Sequence, residues 1–177
     1  MSEWFDRPGG ERVEILPPDP AWARTASTWI APIGRTVDAP GARVEHVGST
    51  AVPGLAAKAV VDLQLSVVAL DDEHSYRPAL ETLGLVLRHR AAEHRFFRPP
   101  AGSPRLVHVH VCEVGSRWEV DHLRFRDLLR TRPELAAEYE RLKEALAREH
   151  AHDRGAYNAG KTAFIAAAIA QPERCHD

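Results

Sequence analysis

Two stretches of the sequence carry polar, chemistry-competent side chains at every second position of a predicted β-strand. Asp62 and Gln64 alternate with apolar residues over 59–68, and His108 and His110 alternate with valine over 106–111. Because successive side chains of a strand point to opposite faces, each strand has one apolar and one polar face. If the two strands pair, the four polar side chains share one surface. Such a polar face is often simply exposed to solvent. Because Asp is depleted in strands, Asp62 makes a ligand-binding surface an equally open interpretation.

A tight polar turn precedes the first of these strands. Gly48, Ser49 and Thr50 directly follow a predicted short strand at 43–47. Backbone amides and hydroxyl groups presented by such a turn can hold phosphate oxygens. A Gly-Ser turn alone is common, but here the next strand carries an acid. The joined pattern predicts a phosphate-binding turn beside Asp62.

Lysine is scarce in this chain, which contains 20 arginines and 3 lysines. Where arginine is the usual choice, a retained lysine indicates a place that needs a compact ammonium group. Lys58 lies just before the Asp62 strand, where it could meet a phosphate. Tyr139 and Lys143, like Tyr157 and Lys161, are four residues apart and therefore share a helix face. Lys161 is a lone charge in an Ala-rich helix, which indicates a position facing a cleft or a partner.

Three arginines are further candidates for binding an anionic group. Arg95 and Arg98 lie in a predicted short strand, and a guanidinium there could clamp a phosphate or carboxylate with two parallel donors. Arg126 lies in an amphipathic helix at 117–130, where ion pairs along the helix are the ordinary interpretation.

The elements that must position these residues follow from hydrophobic periodicity and capping residues. A helix is predicted to begin near Asp19 and Pro20. Strands are predicted at 43–47, 59–68, 85–90, 95–98 and 106–114, with helices at 75–83, 117–130, 133–149 and 153–170. This order predicts an α+β fold, one mixed sheet backed by helices, in a single domain over 1–177 with a helical part at 115–170.

Composition excludes several classes of protein. The chain has 177 residues, of which 44% are hydrophobic, and this is too apolar for a disordered protein. A net charge of -2 gives no general attraction to nucleic acid. No apolar stretch approaches the roughly 18 residues of a membrane span, and no secretory signal is visible. Cys112 and Cys175 match no disulfide framework and no zinc spacing. We expect a cytoplasmic protein with a small-molecule or nucleotide ligand and neither nucleic acid nor membrane as partner.

The motifs together resemble a known family. The decisive stretch is HVGSTAVPGLAAKAVVDLQ at 46–64, and further matches are Arg95 with two phenylalanines, the His108 and His110 pair, residues 122–130, residues 139–143, and Tyr157 with Lys161. This pattern is similar to the GrpB family of the nucleotidyltransferase-fold superfamily, members of which occur fused to dephospho-coenzyme A kinase in some bacteria.

The resemblance implies a mechanism from which this sequence departs at one position. In the superfamily the Gly-Ser turn binds a triphosphate, and two acids spaced by two residues, with a third on a neighbouring strand, hold divalent metal. Here Gln64 stands where the second acid is expected, and His108 or His110 where the third is expected. A single Mg²⁺ or other divalent ion at Asp62 stays open, as does a softer metal with His110 as a ligand.

Two functions compete. The first is an enzyme that binds a nucleoside triphosphate and transfers a nucleotidyl or phosphoryl group to a small acceptor, or activates a carboxylate. The second is a catalytically silent ligand-binding module, one that could assist a coenzyme A pathway enzyme or another partner. The catalytic candidates are Asp62, which is also the metal candidate, His110 and Lys161. The ligand-binding candidates are Gly48, Ser49, Thr50, Lys58, Gln64, Arg95, His108, Arg126, Lys143 and Tyr157.

Overall fold

A mixed six-stranded β-sheet with helices on both faces organises the chain. The computed structural model describes residues 3–5 and 12–171. The strands are β1 (Glu3–Trp4), β2 (Arg43–Val47), β3 (Val61–Val67), β4 (Val86–Arg90), β5 (His94–Arg98) and β6 (Val107–Glu113). The helices are α1 (Ala21–Thr36), α2 (Arg77–Thr82), α3 (Arg117–Thr131), α4 (Pro133–Glu149), α5 (Arg154–Gly160) and α6 (Thr162–Ala170). The α+β architecture predicted from the sequence is confirmed.

The strand order is β1-β4-β5-β6-β3-β2, and only the central β3–β6 pair is parallel. In that pair Asp62 lies opposite His108, and Gln64 lies opposite His110. On the other side of β6, Phe96 of β5 lies opposite His110. Because paired residues project to the same side of a sheet, all of these side chains share one face.

The opposite face of the sheet forms the main hydrophobic core. Leu63, Leu65 and Val109 project into it and are fully buried. Helix α1 covers this face with a stripe that includes Trp22, Ala26 and Ile33, as its periodicity predicts. The Asp19 carboxylate accepts a hydrogen bond from Ala21 N at the start of the helix.

Helices α3, α4 and α6 pack together on the polar side of the sheet. Their shared core includes Leu128, Tyr139 and Ala168. Helix α3 is held to strand β2 by ion pairs from Arg43 to Glu119 and from Arg126 to Glu45. The helical third of the chain therefore covers the face that carries Asp62.

Two elements differ from the sequence prediction. The helix predicted over 153–170 is two helices, which meet at Gly160 and Lys161. Strand β1 was not predicted, because its two residues are too few to show a period and only their pairing with β4 defines them. In the described ranges, no helix is long and apolar enough to cross a lipid bilayer.

Candidate functional site

A cavity of about 530 Å³ lies between the polar face of the sheet and helices α3 to α6. Its floor is formed by the Gly48–Thr50 turn and by strands β3, β5 and β6. Its walls come from the helices, which contribute Tyr139, Lys143, Tyr157 and Lys161. Asp62 is the one carboxylate among the residues that line it in the described part of the chain. Such a lining suits an anionic ligand.

Gly48 allows the turn to lie directly against Asp62. Its backbone has φ +70 and ψ -172, a combination essentially restricted to glycine. A Cβ atom at this position would lie 2.7 Å from Asp62 Oδ2. Thr50 is fixed in the same turn by His46, whose Nε2 lies 3.0 Å from Thr50 Oγ1. The turn and the carboxylate therefore form one rigid unit at the floor of the cavity.

Asp62 is surrounded by two imidazole rings. Its Oδ1 lies 3.2 Å from His108 Nδ1 and 3.7 Å from His110 Nε2. One donor atom from each of the three residues lies within 4.8 Å of the other two. The far nitrogens, His108 Nε2 and His110 Nδ1, are buried without a hydrogen-bond partner among the described residues. Any ligand therefore reaches these imidazoles through the nitrogens that face Asp62.

A row of stacked rings extends from this cluster across the sheet. Phe96 contacts both imidazoles, with ring centroids 4.9 Å from His108 and 5.1 Å from His110. Trp118 of α3 stacks on His122 at 3.6 Å and on His94 at 5.4 Å. Close packing on both sides restricts the rotamers of the two cluster histidines.

All three lysines of the chain line the same cavity. Lys58 and Lys161 place their Nζ atoms 5.1 Å and 4.5 Å from the centroid of the Tyr157 ring. Lys143 Nζ donates a hydrogen bond to the carbonyl of Ala56 and lies 5.1 Å from the Tyr139 ring centroid. The ring faces partly compensate the buried ammonium groups.

Burial lowers the pKa of each lysine. It lowers the pKa of Lys161 to about 7, with repulsion from Lys58 acting in the same direction. It lowers the pKa of Lys143 to about 8 and also lowers the pKa of Lys58. Desolvation is the largest cause of all three shifts and repulsion from neighbouring cations a smaller one, so an anion beside an ammonium group would favour its charged form.

Asp62 is an anion beside partly buried imidazole rings. Burial alone would raise the pKa of Asp62, but hydrogen bonds from His108 and His110 outweigh it and hold the pKa well below its usual range. Burial lowers the pKa of His108 despite the nearby carboxylate. It also lowers the pKa of His94 to about 3. At neutral pH these imidazoles therefore offer uncharged donors and lone pairs.

The donor set does not fit magnesium by itself. Mg²⁺ prefers oxygen ligands in near-octahedral geometry and usually takes one or two carboxylates with waters or phosphates. This cluster supplies one carboxylate and two imidazole nitrogens. A nucleotide would have to bring most of the oxygen ligands of a bound magnesium ion.

Most of the residues predicted for the site line the cavity. Asp62 and His110 share a sheet face beside Ser49, as strand alternation predicts, and Lys161 reaches the same cleft from the helices. The others that line it are Gly48, Ser49, Thr50, Lys58, His108, Lys143 and Tyr157. Tyr139, interpreted as a core residue, is buried against Phe125 and Phe164 and also reaches the cavity wall.

Gln64 was expected to contact the ligand and does not line the cavity. It lies on the same face as Asp62 but is fully buried, and its Nε2 donates to Ser66 Oγ at 3.3 Å. Glu45 of β2 is the register partner of Gln64, and Arg126 of α3 donates a hydrogen bond to it. Helix α3 therefore lies over this part of the sheet face. Sharing a strand face therefore did not give the two residues the same access.

Arg95 was also expected to bind the ligand, and the structure places it elsewhere. Its register partner is Val111, which puts it on the core side of the sheet. Its guanidinium donates to Glu73 Oε1 at 2.7 Å and to Asp71 Oδ1 at 2.6 Å. Arg98 lines the cavity instead. An odd spacing of three puts Arg95 and Arg98 on opposite faces of β5, so that one of them at most could reach the site.

Arg126 is the third predicted ligand contact outside the cavity lining. Its guanidinium donates to Glu45, to the carbonyl of His46 and to the adjacent Asp127. These acceptors occupy the donors that a phosphate would need. Arg126 therefore connects α3 to the strand that leads into the Gly48 turn.

Several cavity residues were missed by the sequence prediction. His94 and Phe96 alternate with Arg95 and Phe97, so the period of two along β5 was the available signal. His89 had no place in the predicted site, yet it lines the cavity and stacks on Trp4 at 4.2 Å. His122 had no assigned role. Nothing in the sequence indicates that β1 brings Trp4 beside His89.

Comparison with known proteins identifies the family. The sequence profile of the GrpB protein family matches residues 12–171. The chain belongs to the GrpB family. A UPF0157 protein of Pseudomonas aeruginosa is 39% identical over 161 residues, covering 88% of this chain and 66% of that protein. A UPF0157 protein of Streptomyces coelicolor is 42% identical over 147 residues, covering 82% of this chain and 77% of its own length.

Solved structures agree on the fold of this GrpB-family chain. The crystal structure of conserved protein GrpB from Enterococcus faecalis superimposes with a TM-score of 0.77 at 28% identity, covering 88% of this chain and 94% of that one. The Cid1 poly(U) polymerase is a more distant neighbour, with a TM-score of 0.45 at 10% identity.

A mycobacterial protein named dephospho-CoA kinase is 28% identical over 175 residues, and this chain covers 43% of its length.

Proposed function

We propose that this chain binds a nucleoside triphosphate in the cavity and transfers a nucleotidyl or phosphoryl group to a small acceptor, or activates a carboxylate with it. The observation that carries the proposal is the convergence of all three lysines on a cavity with a single lining carboxylate, beside a glycine-containing turn. A triphosphate is the small ligand that best matches several ammonium groups beside a turn that lines the cavity with Gly48 and Ser49.

In this proposal Lys58 and Lys161 neutralise the phosphate chain, and Ser49 and Thr50 orient its oxygens. The ammonium groups stand over the Tyr157 ring, and Arg98 also lines the cavity. Asp62 orients the attacking group, and His110 moves a proton at that group. The negative charge that develops on the phosphate oxygens in the transition state would be stabilised by groups that are in place before the reaction. Such preorganised electrostatic stabilisation is the main source of catalysis in sites of this kind. A divalent cation such as Mg²⁺ would neutralise phosphate charge when bound with the nucleotide.

Calorimetry with ATP, GTP and CTP, each in Mg²⁺, Mn²⁺ or chelator, tests the proposal. We expect binding of the triphosphates, and Lys161→Met should weaken it at least about tenfold, because a charge-assisted hydrogen bond contributes roughly 1.5–3 kcal/mol. Arg141→Met is the matched control, since Arg141 lies exposed on α4. Equal affinity in the Lys161→Met variant and the wild type would show that the lysines do not hold the phosphates.

Coupling between metal and nucleotide separates enzyme from silent module. The proposed transferase predicts that Mg²⁺ and ATP raise each other's affinity by the same factor, and that Asp62→Asn removes this coupling without unfolding the chain. Release of pyrophosphate from ATP, for nucleotidyl transfer, or formation of ADP, for phosphoryl transfer, in the presence of candidate acceptors measures turnover directly. Identical ATP affinity in Mg²⁺ and in chelator, with no turnover, would exclude the metal-assisted transferase.

The second candidate is a catalytically silent ligand-binding module. It is favoured by Gln64, which stands where the resemblance predicts a second acid and which is buried away from the cavity. Asp62 is therefore the one carboxylate that lines the cavity among the described residues. The similarity to a protein named dephospho-CoA kinase, of which this chain covers 43%, supports a module that works beside a coenzyme A pathway enzyme. For such a module, nucleotide binding without turnover is the expected result.

A further inference from the structure

We propose that Asp62, His108 and His110 bind one divalent transition-metal ion of the nitrogen-preferring class, with Zn²⁺ as its representative, and that they do so without any nucleotide. The inference concerns this cluster alone, and its test does not depend on nucleotide binding; with the ion bound, His110 acts as a metal ligand and not as the proton-moving group of the proposed transfer. It rests on the donor set, one carboxylate and two imidazoles, which suits a transition-metal ion better than it suits magnesium.

The sheet register brings the three donors together. His108 and His110 are two residues apart on β6, so both project from one face, and Asp62 lies opposite His108 on the adjacent parallel strand. Each of the three side chains is held by a central strand of the sheet rather than by a loop. A site on such elements keeps its geometry before the ion arrives.

The distances match those between ligands of a small metal ion. Zinc bonds to nitrogen and carboxylate oxygen at about 2.0–2.2 Å, which places neighbouring ligands of a tetrahedral site roughly 3.3–3.5 Å apart. Asp62 Oδ1 lies 3.2 Å from His108 Nδ1 and 3.7 Å from His110 Nε2. These two distances, both measured from the carboxylate, bracket the expected value, and the donor atoms of the two histidines lie within 4.8 Å of each other.

Aromatic packing holds the two imidazoles in place. Phe96 lies edge-on to His108, with the ring planes at 81°, and is stacked on His110 at 30°. Trp118 of helix α3 also contacts His110, and the centroids of the two rings are 5.5 Å apart. Imidazoles confined in this way lose little rotamer entropy when they bind an ion.

The donor types decide which ion the cluster takes. Two imidazoles with one carboxylate form a set used for Zn²⁺ and for other first-row transition metals, whereas all-oxygen sets suit Mg²⁺ and Ca²⁺. Three protein ligands also leave a fourth position, and here that position faces the cavity, since Asp62 and His110 are 34% and 24% exposed in their side chains. An open position toward a cavity is typical of a reactive rather than a purely structural zinc site.

Titration of the metal alone tests this site. Tag-free full-length chain, stripped with chelator and carrying Cys175→Ser and His176→Ala to remove C-terminal donors, is titrated with Zn²⁺ by calorimetry and with Co²⁺ by visible absorption. We expect one ion per chain. His108→Ala and Asp62→Asn should each weaken zinc binding by more than about 100-fold, because losing even a supporting group of a zinc site costs roughly 10–100-fold.

His89→Ala is the matched control, since His89 lines the same cavity but lies outside the cluster. It should bind zinc as the unsubstituted chain does, and circular dichroism should show all variants folded. Should a histidine variant not fold, the nearly isosteric Asp62→Asn supplies the test. The site is refuted if Asp62→Asn binds zinc like the parent chain, or if Mg²⁺ at equal concentration displaces zinc. ATP titration in chelator remains a separate measurement, so the zinc site and the nucleotide proposal can fail independently.

Discussion

At the scale of single residues, the site concentrates charge and strain that the fold must tolerate. Three ammonium groups share one cavity with one carboxylate, and a glycine with positive φ lies against that carboxylate. The buried ammonium groups destabilise the folded chain relative to a neutral side chain of similar size, and the conformation of Gly48 strains any other residue at that position. Sites that bind or react with a ligand commonly carry such features, whereas surfaces without a function do not need them.

Replacing Lys161 by Met should stabilise the chain near neutral pH. Burial holds the pKa of Lys161 at about 7 in the folded chain, against 10.5 for an ordinary lysine. Below pH 7 the lysine is charged in both states and its burial destabilises the fold in full; between pH 7 and 10.5 the folded chain loses the proton first and the penalty fades. Lys161→Met should therefore add roughly 1–3 kcal/mol to the free energy of unfolding at pH 6.5 and much less near pH 10.

Urea denaturation of wild type and Lys161→Met at the two pH values measures this difference. The wild type alone should become more stable as pH rises from 7 toward 10, after comparison with the variant removes the titration of other groups. A variant less stable than wild type at pH 6.5 would contradict the prediction.

Gly48→Ala should separate backbone strain from loss of the site. The new Cβ would collide with Asp62 Oδ2, and the positive φ strains any side chain. We expect destabilisation of roughly 1–3 kcal/mol and displacement of the carboxylate. Gly54→Ala is the control, because Gly54 also has a positive φ but nothing within 4 Å of an added Cβ. Thermal unfolding should show both variants destabilised, while ATP or zinc titration should be impaired in Gly48→Ala alone.

At the scale of elements, the break between α5 and α6 places Lys161 at the cavity. Helix α5 is capped by Asp153, whose carboxylate accepts from Ala156 N at 2.9 Å. It ends at Gly160, which packs directly on the Leu146 side chain of α4. The chain then starts a new helix at Thr162. A glycine at the contact allows α5 to approach α4 closely enough for Tyr157 to be buried.

Gly160→Ala should push α5 away from α4. An added Cβ overlaps Leu146, so that the leucine must change rotamer or the helix must move. Overpacking of this kind typically costs about 1–3 kcal/mol, and here it should also weaken ATP binding because Tyr157 and Lys161 shift. Gly34→Ala in α1 is the control, with nothing near its added Cβ and an expected gain of roughly 0.5–1 kcal/mol. Unchanged ATP affinity in Gly160→Ala would argue that the junction does not position the lysine.

At the scale of the whole molecule, ion pairs hold together the edge of the sheet formed by β1, β4 and β5. Glu73 binds Arg90 of β4 and Arg95 of β5 with contacts of 2.7 Å, and Arg90 also binds Glu3 of β1. This network joins the loop before α2 to three strands. The structural role of Arg95 follows from it, since a guanidinium saturated by carboxylates at this edge has no donors left for a ligand.

Glu73→Gln should remove stability that depends on pH. Hydrogen bonds from Arg90 and Arg95 lower the pKa of Glu73 from 4.5 to about 2, against the opposing effect of burial. A depressed carboxyl pKa stabilises the fold above pH 4.5, and this stabilisation is lost as pH falls toward 2. The variant should lose on the order of 2 kcal/mol at pH 7, with the difference shrinking below pH 4.

Chemical denaturation across pH 3 to 7 measures this effect. Glu81→Gln provides the comparison, because Glu81 forms an exposed ion pair with Arg77 that should contribute little. A Glu73→Gln variant as stable as wild type at pH 7 would show that the network is not needed to hold the sheet edge.

The sequence by itself determined the faces of the two central strands and most of the cavity lining. Asp62, His108 and His110 were predicted to lie on the polar faces of their strands, and the structure has them there, because the period of two is a local property of an extended backbone. The lysines were found because their scarcity marked them, and the family was recognised from one contiguous stretch at 46–64. Of these inferences, only the shared surface of Asp62 and the two histidines depended on which strands are neighbours.

Only the tertiary structure decided which polar groups line the cavity. Gln64 lies on the correct face but is covered by α3, Arg95 is bound by acids from a distant loop, and Trp4 joins the cavity through an edge strand of two residues. The break at Gly160 likewise depends on Leu146 of another helix. These outcomes depend on contacts between segments far apart in sequence, which the local periodicity and residue preferences of any one segment do not contain.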